Sequence, residues 1–95
     1  MPIRDLVFET LALDANVESS VVIPPGASSI EISQRVLPAE LRMSNVAGQT
    51  ANGNKYKTIR SDWWPSDPRF KIPPGTRLYF RSTVQNTVEL LFGIE

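Results

Sequence analysis

Ile23-Pro24-Pro25-Gly26 recurs letter for letter as Ile72-Pro73-Pro74-Gly75, and this doubled tetrapeptide decides how the 95-residue chain is read. In each copy the second proline presets φ near −65° and the glycine accepts the positive φ that follows, the requirement of a type II turn. The first proline forces the isoleucine before it into extended backbone. Each isoleucine therefore ends a strand with its side chain in the core, and the chain then crosses from one sheet to another.

Working outward, the flanking residues alternate with the period of two that a half-buried strand requires. Val17, Ser19, Val21 and Ile23 share one face before the first turn, and Ile30 and Ile32 alternate with Ser29, Glu31 and Ser33 after it. Beyond the second turn, Leu78, Phe80 and Ser82 alternate with Arg77, Tyr79 and Arg81. At the end of the chain Val88, Leu90, Phe92 and Ile94 share one face, which marks a central, buried strand. Leu6 to Leu13 is strand-like with mixed alternation, and its Ala and Leu content also suits a short helix. Leu41 to Asn45 and Lys55 to Arg60 read as strands around a polar stretch in which Asn52-Gly53 is the favoured pair for a two-residue hairpin turn. Pro38-Ala39-Glu40-Leu41 is the one candidate helical turn.

Eight prolines break the remaining windows, so helices are not expected. The reading is one all-β domain over residues 1–95, an antiparallel two-sheet sandwich of about seven or eight short strands, jelly-roll-like with two similar halves. An immunoglobulin-like sandwich and a five-stranded barrel fit the same strand count.

The composition removes several chemistries. Histidine and cysteine are both absent, which excludes Ser-His-Asp and Cys nucleophiles and takes away the usual transition-metal ligands. The five glycines are scattered and form no phosphate loop. Ten basic residues balance ten acidic ones, so the electrostatic footprint of a nucleic-acid or anionic-membrane binder is missing. No apolar run approaches the roughly 20 residues of a membrane span, and the N-terminal residues lack a secretion signal. Synthesis in a cytoplasm is expected. Charge is uneven along the chain: three bases face six carboxylates in residues 1–48, and seven bases face four in residues 49–95. If the halves form different faces, copies attract one another.

The candidate binding residues cluster around Asp62-Trp63-Trp64-Pro65-Ser66-Asp67-Pro68-Arg69. Adjacent tryptophans in extended backbone point in opposite directions, so either one plugs an open end of the sandwich while the other faces outward beside Asp62 and Arg69, or both rings cover the core under a long loop. Two aspartates on one loop are too few for a calcium site and suit turn capping, so neither metal nor cofactor is expected. Arg77, Tyr79 and Arg81 form a basic and aromatic strand face, and Ile3 offers an apolar anchor near the N-terminus. With no catalytic constellation evident, the chain is expected not to be an enzyme.

Ile72 to Ser82, followed by Asn86 to Gly93, resembles small virion proteins of tailed bacteriophages, with a shorter echo at Val22 to Ile32. The likeness is to capsid decoration proteins and to small fibre or adaptor proteins. It implies a non-enzymatic structural role in the virion, self-association with a homotrimer as the favoured state, and contact with the major capsid protein or another virion protein. Apolar anchors at Trp63, Trp64 and Ile3 would then be oriented by Arg69, Arg77 and Arg81. The rival expectation is a carbohydrate- or receptor-binding module with Trp63, Trp64 and Asp62 as a sugar platform.

Overall fold

A computed structural model describes residues 5–36, 40–59 and 75–95. In chain order the elements are β1 (Asp5–Leu13), β2 (Ser19–Val22), β3 (Ala27–Gln34), β4 (Leu41–Ser44), one helical turn α1 (Gln49–Asn52), β5 (Lys57–Ile59), β6 (Arg77–Ser82) and β7 (Asn86–Ile94). The strands form two antiparallel sheets in the orders β1-β7-β3 and β2-β6-β4-β5. The all-β two-sheet sandwich is as the sequence predicts. Its pairs nest, β1 with β7, β2 with β6 and β4 with β5, the arrangement of a jelly roll.

Alternation explains which residues meet between the sheets. From the three-stranded sheet come Leu13, Ile30, Ile32, Val88, Leu90 and Phe92, and from the four-stranded sheet Leu41, Ile59 and Phe80, with Ile23 beside them. β7 lies between β1 and β3, as its apolar face implies.

The first Pro-Pro-Gly corner matches its expected chemistry. Ala27 N–H donates to Pro24 O at 3.4 Å and Gly26 has φ 79°, which together make a type II turn. Ile23 is buried and its N–H donates to Thr76 O at 2.8 Å, so the strand end is tied down before the chain changes sheet. Of the second copy, Ile72, Pro73 and Pro74 lie outside the described residues, while Gly75 repeats the left-handed backbone with φ 80°.

The two glycines nevertheless differ in surroundings. A Cβ on Gly26 would sit 3.2 Å from Ile94 Cγ2, whereas one on Gly75 would meet none of the described residues within 4 Å. Gly75→Ala should therefore cost only the left-handed strain, about 1 to 2 kcal/mol. Gly26→Ala should cost more, because Ile94 must also move. Urea denaturation of the two variants checks the order, and equal losses would refute it.

Several local expectations are corrected. The strand reading of Leu6 to Leu13 holds over Asp5–Leu13, and its short-helix alternative does not. Val17 is exposed and precedes β2, because the strand starts only at Ser19. Asn52-Gly53 makes no hairpin turn: Asn52 closes α1, and Gly53 is extended at φ −111°, ψ −164°. The reason is a side chain four residues back. Gln49 folds its side chain over Gly53 so that Oε1 accepts from Asn54 N–H and Lys55 N–H, both at 3.2 Å, and a Cβ on Gly53 would collide with that amide. A larger residue there would push the Gln49 amide aside and break those two bonds. Leu41 already belongs to β4 and so to no helical turn, while Pro38 and Ala39 lie outside the described residues.

Candidate functional site

Register fixes what each sheet shows to the outside. On the three-stranded sheet the outward rows are Leu6, Gly93 and Ser29, then Phe8, Leu91 and Glu31, then Thr10, Glu89 and Ser33. Phe8 is 72% exposed and Leu6 49%. An exposed phenylalanine beside a second exposed aliphatic on an edge strand is informative, since single exposed apolar residues need no explanation but contiguous ones mark contact surfaces. A shallow depression on this face is lined by Phe8, Leu91, Glu31, Glu89 and Ser33. Glu89 Oε2 accepts from Arg35 Nε at 3.2 Å, and both side chains are about half exposed. A pair so solvated contributes little and can exchange partners.

On the four-stranded sheet, Arg77, Tyr79 and Arg81 point outward opposite Val22, Ser20 and, on β4, Arg42. Thus the basic, aromatic strand face exists, but its members differ in freedom. Arg77 is exposed and its Nη1 donates to Ser20 Oγ at 3.3 Å. Arg81 is partly buried, with Nη2 donating to Asn16 Oδ1 at 3.2 Å and a shielded Nε that has no acceptor among the described residues. Tyr79 is partly buried as well. Arg42 is committed to the fold: Nε bonds Glu40 at 2.9 Å, Nη1 donates to Thr50 O at 3.2 Å, and the guanidinium lies 4.4 Å from the centre of the Tyr56 ring. Glu18 accepts from Gly48 N–H at 2.8 Å and from the Thr50 hydroxyl, clamping α1 to the start of β2.

Charge is sorted by sheet and not by chain half. Strands β1, β3 and β7 carry Asp5, Glu9, Glu31 and Glu89 and no base. Strands β4, β5 and β6 carry Arg42, Lys57, Arg77 and Arg81 and no acid, and β2 is uncharged. The nested strand order produces this, because each sheet draws strands from both ends of the sequence. Outward, the three-stranded sheet shows Glu31 and Glu89 beside Leu6 and Phe8, and the four-stranded sheet shows Arg42, Arg77 and Arg81, while Asp5, Glu9 and Lys57 fall in the inward-facing sets of edge strands.

Trp63, Trp64, Asp62, Arg69 and Ile3 lie outside the described residues, so the tryptophan platform has no geometry to report. Phe8, Leu6 and Leu91 were not singled out from the sequence. A signal existed: in Leu6 to Leu13 both alternating sets, Leu6-Phe8-Ala12 and Val7-Leu11-Leu13, are apolar, and a two-layer fold can bury only one. Among the described residues no group of three or more acidic side chains is placed to hold a metal ion. No helix of the described residues is long and apolar enough to cross a membrane. No protein-family model, curated protein or solved structure matches the chain.

Proposed function

We propose that this chain is a non-enzymatic virion structural subunit of the capsid-decoration type, which binds a coat surface and self-associates. The observation that carries the assembly role is the apolar outer face of β1 and β7, with Phe8 72% exposed on an edge strand. Edge strands with unpaired backbone groups and exposed apolar side chains are templates for association unless they are covered. A sandwich of this size also gains from buried area that its own core does not supply. The virion setting is drawn from the resemblance of Ile72–Ser82 and Asn86–Gly93 to phage structural proteins, and a jelly roll suits that setting.

Phe8→Lys is the test. Removing an exposed ring should leave folding stability within about 0.5 kcal/mol, while a charge in the centre of an interface should weaken association by at least tenfold, or about 1.4 kcal/mol. Analytical ultracentrifugation reads self-association, and co-sedimentation with purified coat particles reads attachment. A wild-type protein that does neither refutes the proposal. One observation favours a second reading, a glycan-binding module: an aromatic ring and two carboxylates, Phe8 with Glu31 and Glu89, line the same depression. Glycan-array binding by a strictly monomeric protein would select it.

A further inference from the structure

We infer that the depression on the outer face of the three-stranded sheet receives Arg77 of a second copy of the chain, so that copies associate head to tail, acidic sheet against basic sheet. The inference rests on the self-association proposed above and adds which surfaces meet. Its first support is the charge the outer faces show: Glu31 and Glu89 from the strands of one sheet, Arg42, Arg77 and Arg81 from those of the other. Pairing the acidic face with itself would oppose like charges, which is costly in an interface. Pairing it with the basic face of another copy removes that cost. The chain as a whole is neutral, so no net repulsion opposes approach.

The depression also has the chemistry of a guanidinium receptor. Phe8 offers a ring face, Leu91 lies in the same cross-strand row, and Glu31 and Glu89 supply carboxylates on the same wall. Arginine suits such a site because its planar head stacks on aromatics and bonds carboxylates together. Among the described arginines, Arg35 is paired with Glu89, Arg42 with Glu40, and Arg81 is held by Asn16. Arg77 is exposed, and among the described residues it is bonded to the neutral Ser20 hydroxyl and to no carboxylate. Exposed Val22 lies directly across from it and supplies an apolar neighbour for Phe8 and Leu6 of the other copy. The molecule measures 37 by 23 Å across its broad side, on the scale of the roughly 800 Å² per partner of a standard interface.

Because the two surfaces differ, the contact is heterologous, and it builds a ring if the rotation closes or a column if it does not. A two-fold dimer is not expected. This gives the homotrimer a specific form, three Arg77 side chains in three depressions.

The experiment is a charge swap read by sedimentation velocity. Arg77→Glu and Glu89→Lys should each weaken self-association by about tenfold or more, and the double variant R77E/E89K should recover to within a few-fold of wild type. Melting curves check that all three remain folded. If wild type is monomeric at roughly 100 µM, a hundred times a modest micromolar Kd, the proposed self-association fails and this inference with it. If Phe8→Lys dissociates the oligomer while Arg77→Glu does not, the face is an interface and Arg77 is not its occupant. If both single variants weaken association and the double variant weakens it further, the pairing of Arg77 with this depression is overturned.

Discussion

Phe92→Ala should be the most damaging single substitution in the described structure, lowering stability by about 3 to 5 kcal/mol. Phe92 is fully buried on the central strand of the three-stranded sheet, between Val7 on β1 and Ile30 on β3. Its position decides the size of the loss. A side chain at a sheet edge leaves a gap that neighbours or water can fill, but this one has bonded strands on both sides and the opposite sheet beneath it. The surroundings cannot collapse, so the cavity term adds to the lost transfer energy. Small domains have about 5 to 15 kcal/mol in total, and each kcal/mol moves the melting temperature of a domain this size by about 4 to 8 °C. Thermal denaturation should therefore show a fall of at least about 12 °C. A fall of less than about 5 °C would mean that the core is loosely packed at its centre.

Asn86→Ala should come next, at about 2 to 4 kcal/mol, for a polar reason. Asn86 is buried at the start of β7, where Nδ2 donates to Gln34 Oε1 at 3.0 Å. Its Oδ1 accepts from Val36 N–H at 3.0 Å and from Thr87 N–H at 2.8 Å. Gln34 in turn donates from Nε2 to Ile59 O at 3.1 Å, so the chain of bonds runs from β7 through β3 to β5 in the other sheet. Truncating Asn86 leaves donors and an acceptor without partners inside the protein, and that desolvation cost exceeds the net worth of any one bond. The coupling has a distinct signature. In a Gln34→Ala background, Asn86→Ala should cost at least about 1 kcal/mol less than in wild type, since part of what it orphans is already gone. Urea denaturation with an unchanged m-value measures both steps. Strict additivity would show that the two amides act independently.

The parts of the fold legible in the sequence are those governed by neighbours along the chain. β3, β6 and β7 follow from period-two alternation, and the corner at Gly26 follows from proline and glycine geometry. Tertiary contacts decide what was misread. Asn52-Gly53 has the composition of a hairpin turn, yet the Gln49 amide and the Glu18 clamp hold that stretch as a helical turn, and neither is visible in a window of two residues. β1 was ambiguous because it is exposed along most of its length: Glu9 shares the inward set with Val7 and Leu11 at a sheet edge, where a charge is tolerated. The candidate surface was legible only in part. Arg77, Tyr79 and Arg81 do share an outward face, but Asn16, sixty-five positions away, engages one of them, and sequence order does not reveal that. Division of charge between surfaces became readable only with the strand order, because the tally by halves cuts across both sheets.

The nested strand order also sets a clock. Asp5 pairs with Ile94, and β2 pairs with β6, so at synthesis rates of roughly 5 to 20 residues per second β1 waits about 4 to 18 s for its partner strand. During that interval the pairings available within the described elements are those of the four-stranded sheet, first β4 with β5, where Leu41 meets Ile59, and then β2 and β4 with β6. A chain dominated by such distant pairings folds slowly, in milliseconds to seconds, even after release. The nucleus is thus expected in the four-stranded sheet. The β1 strand that carries Leu6 and Phe8 would be among the last to dock, which delays the completed apolar face until the rest of the sandwich has formed.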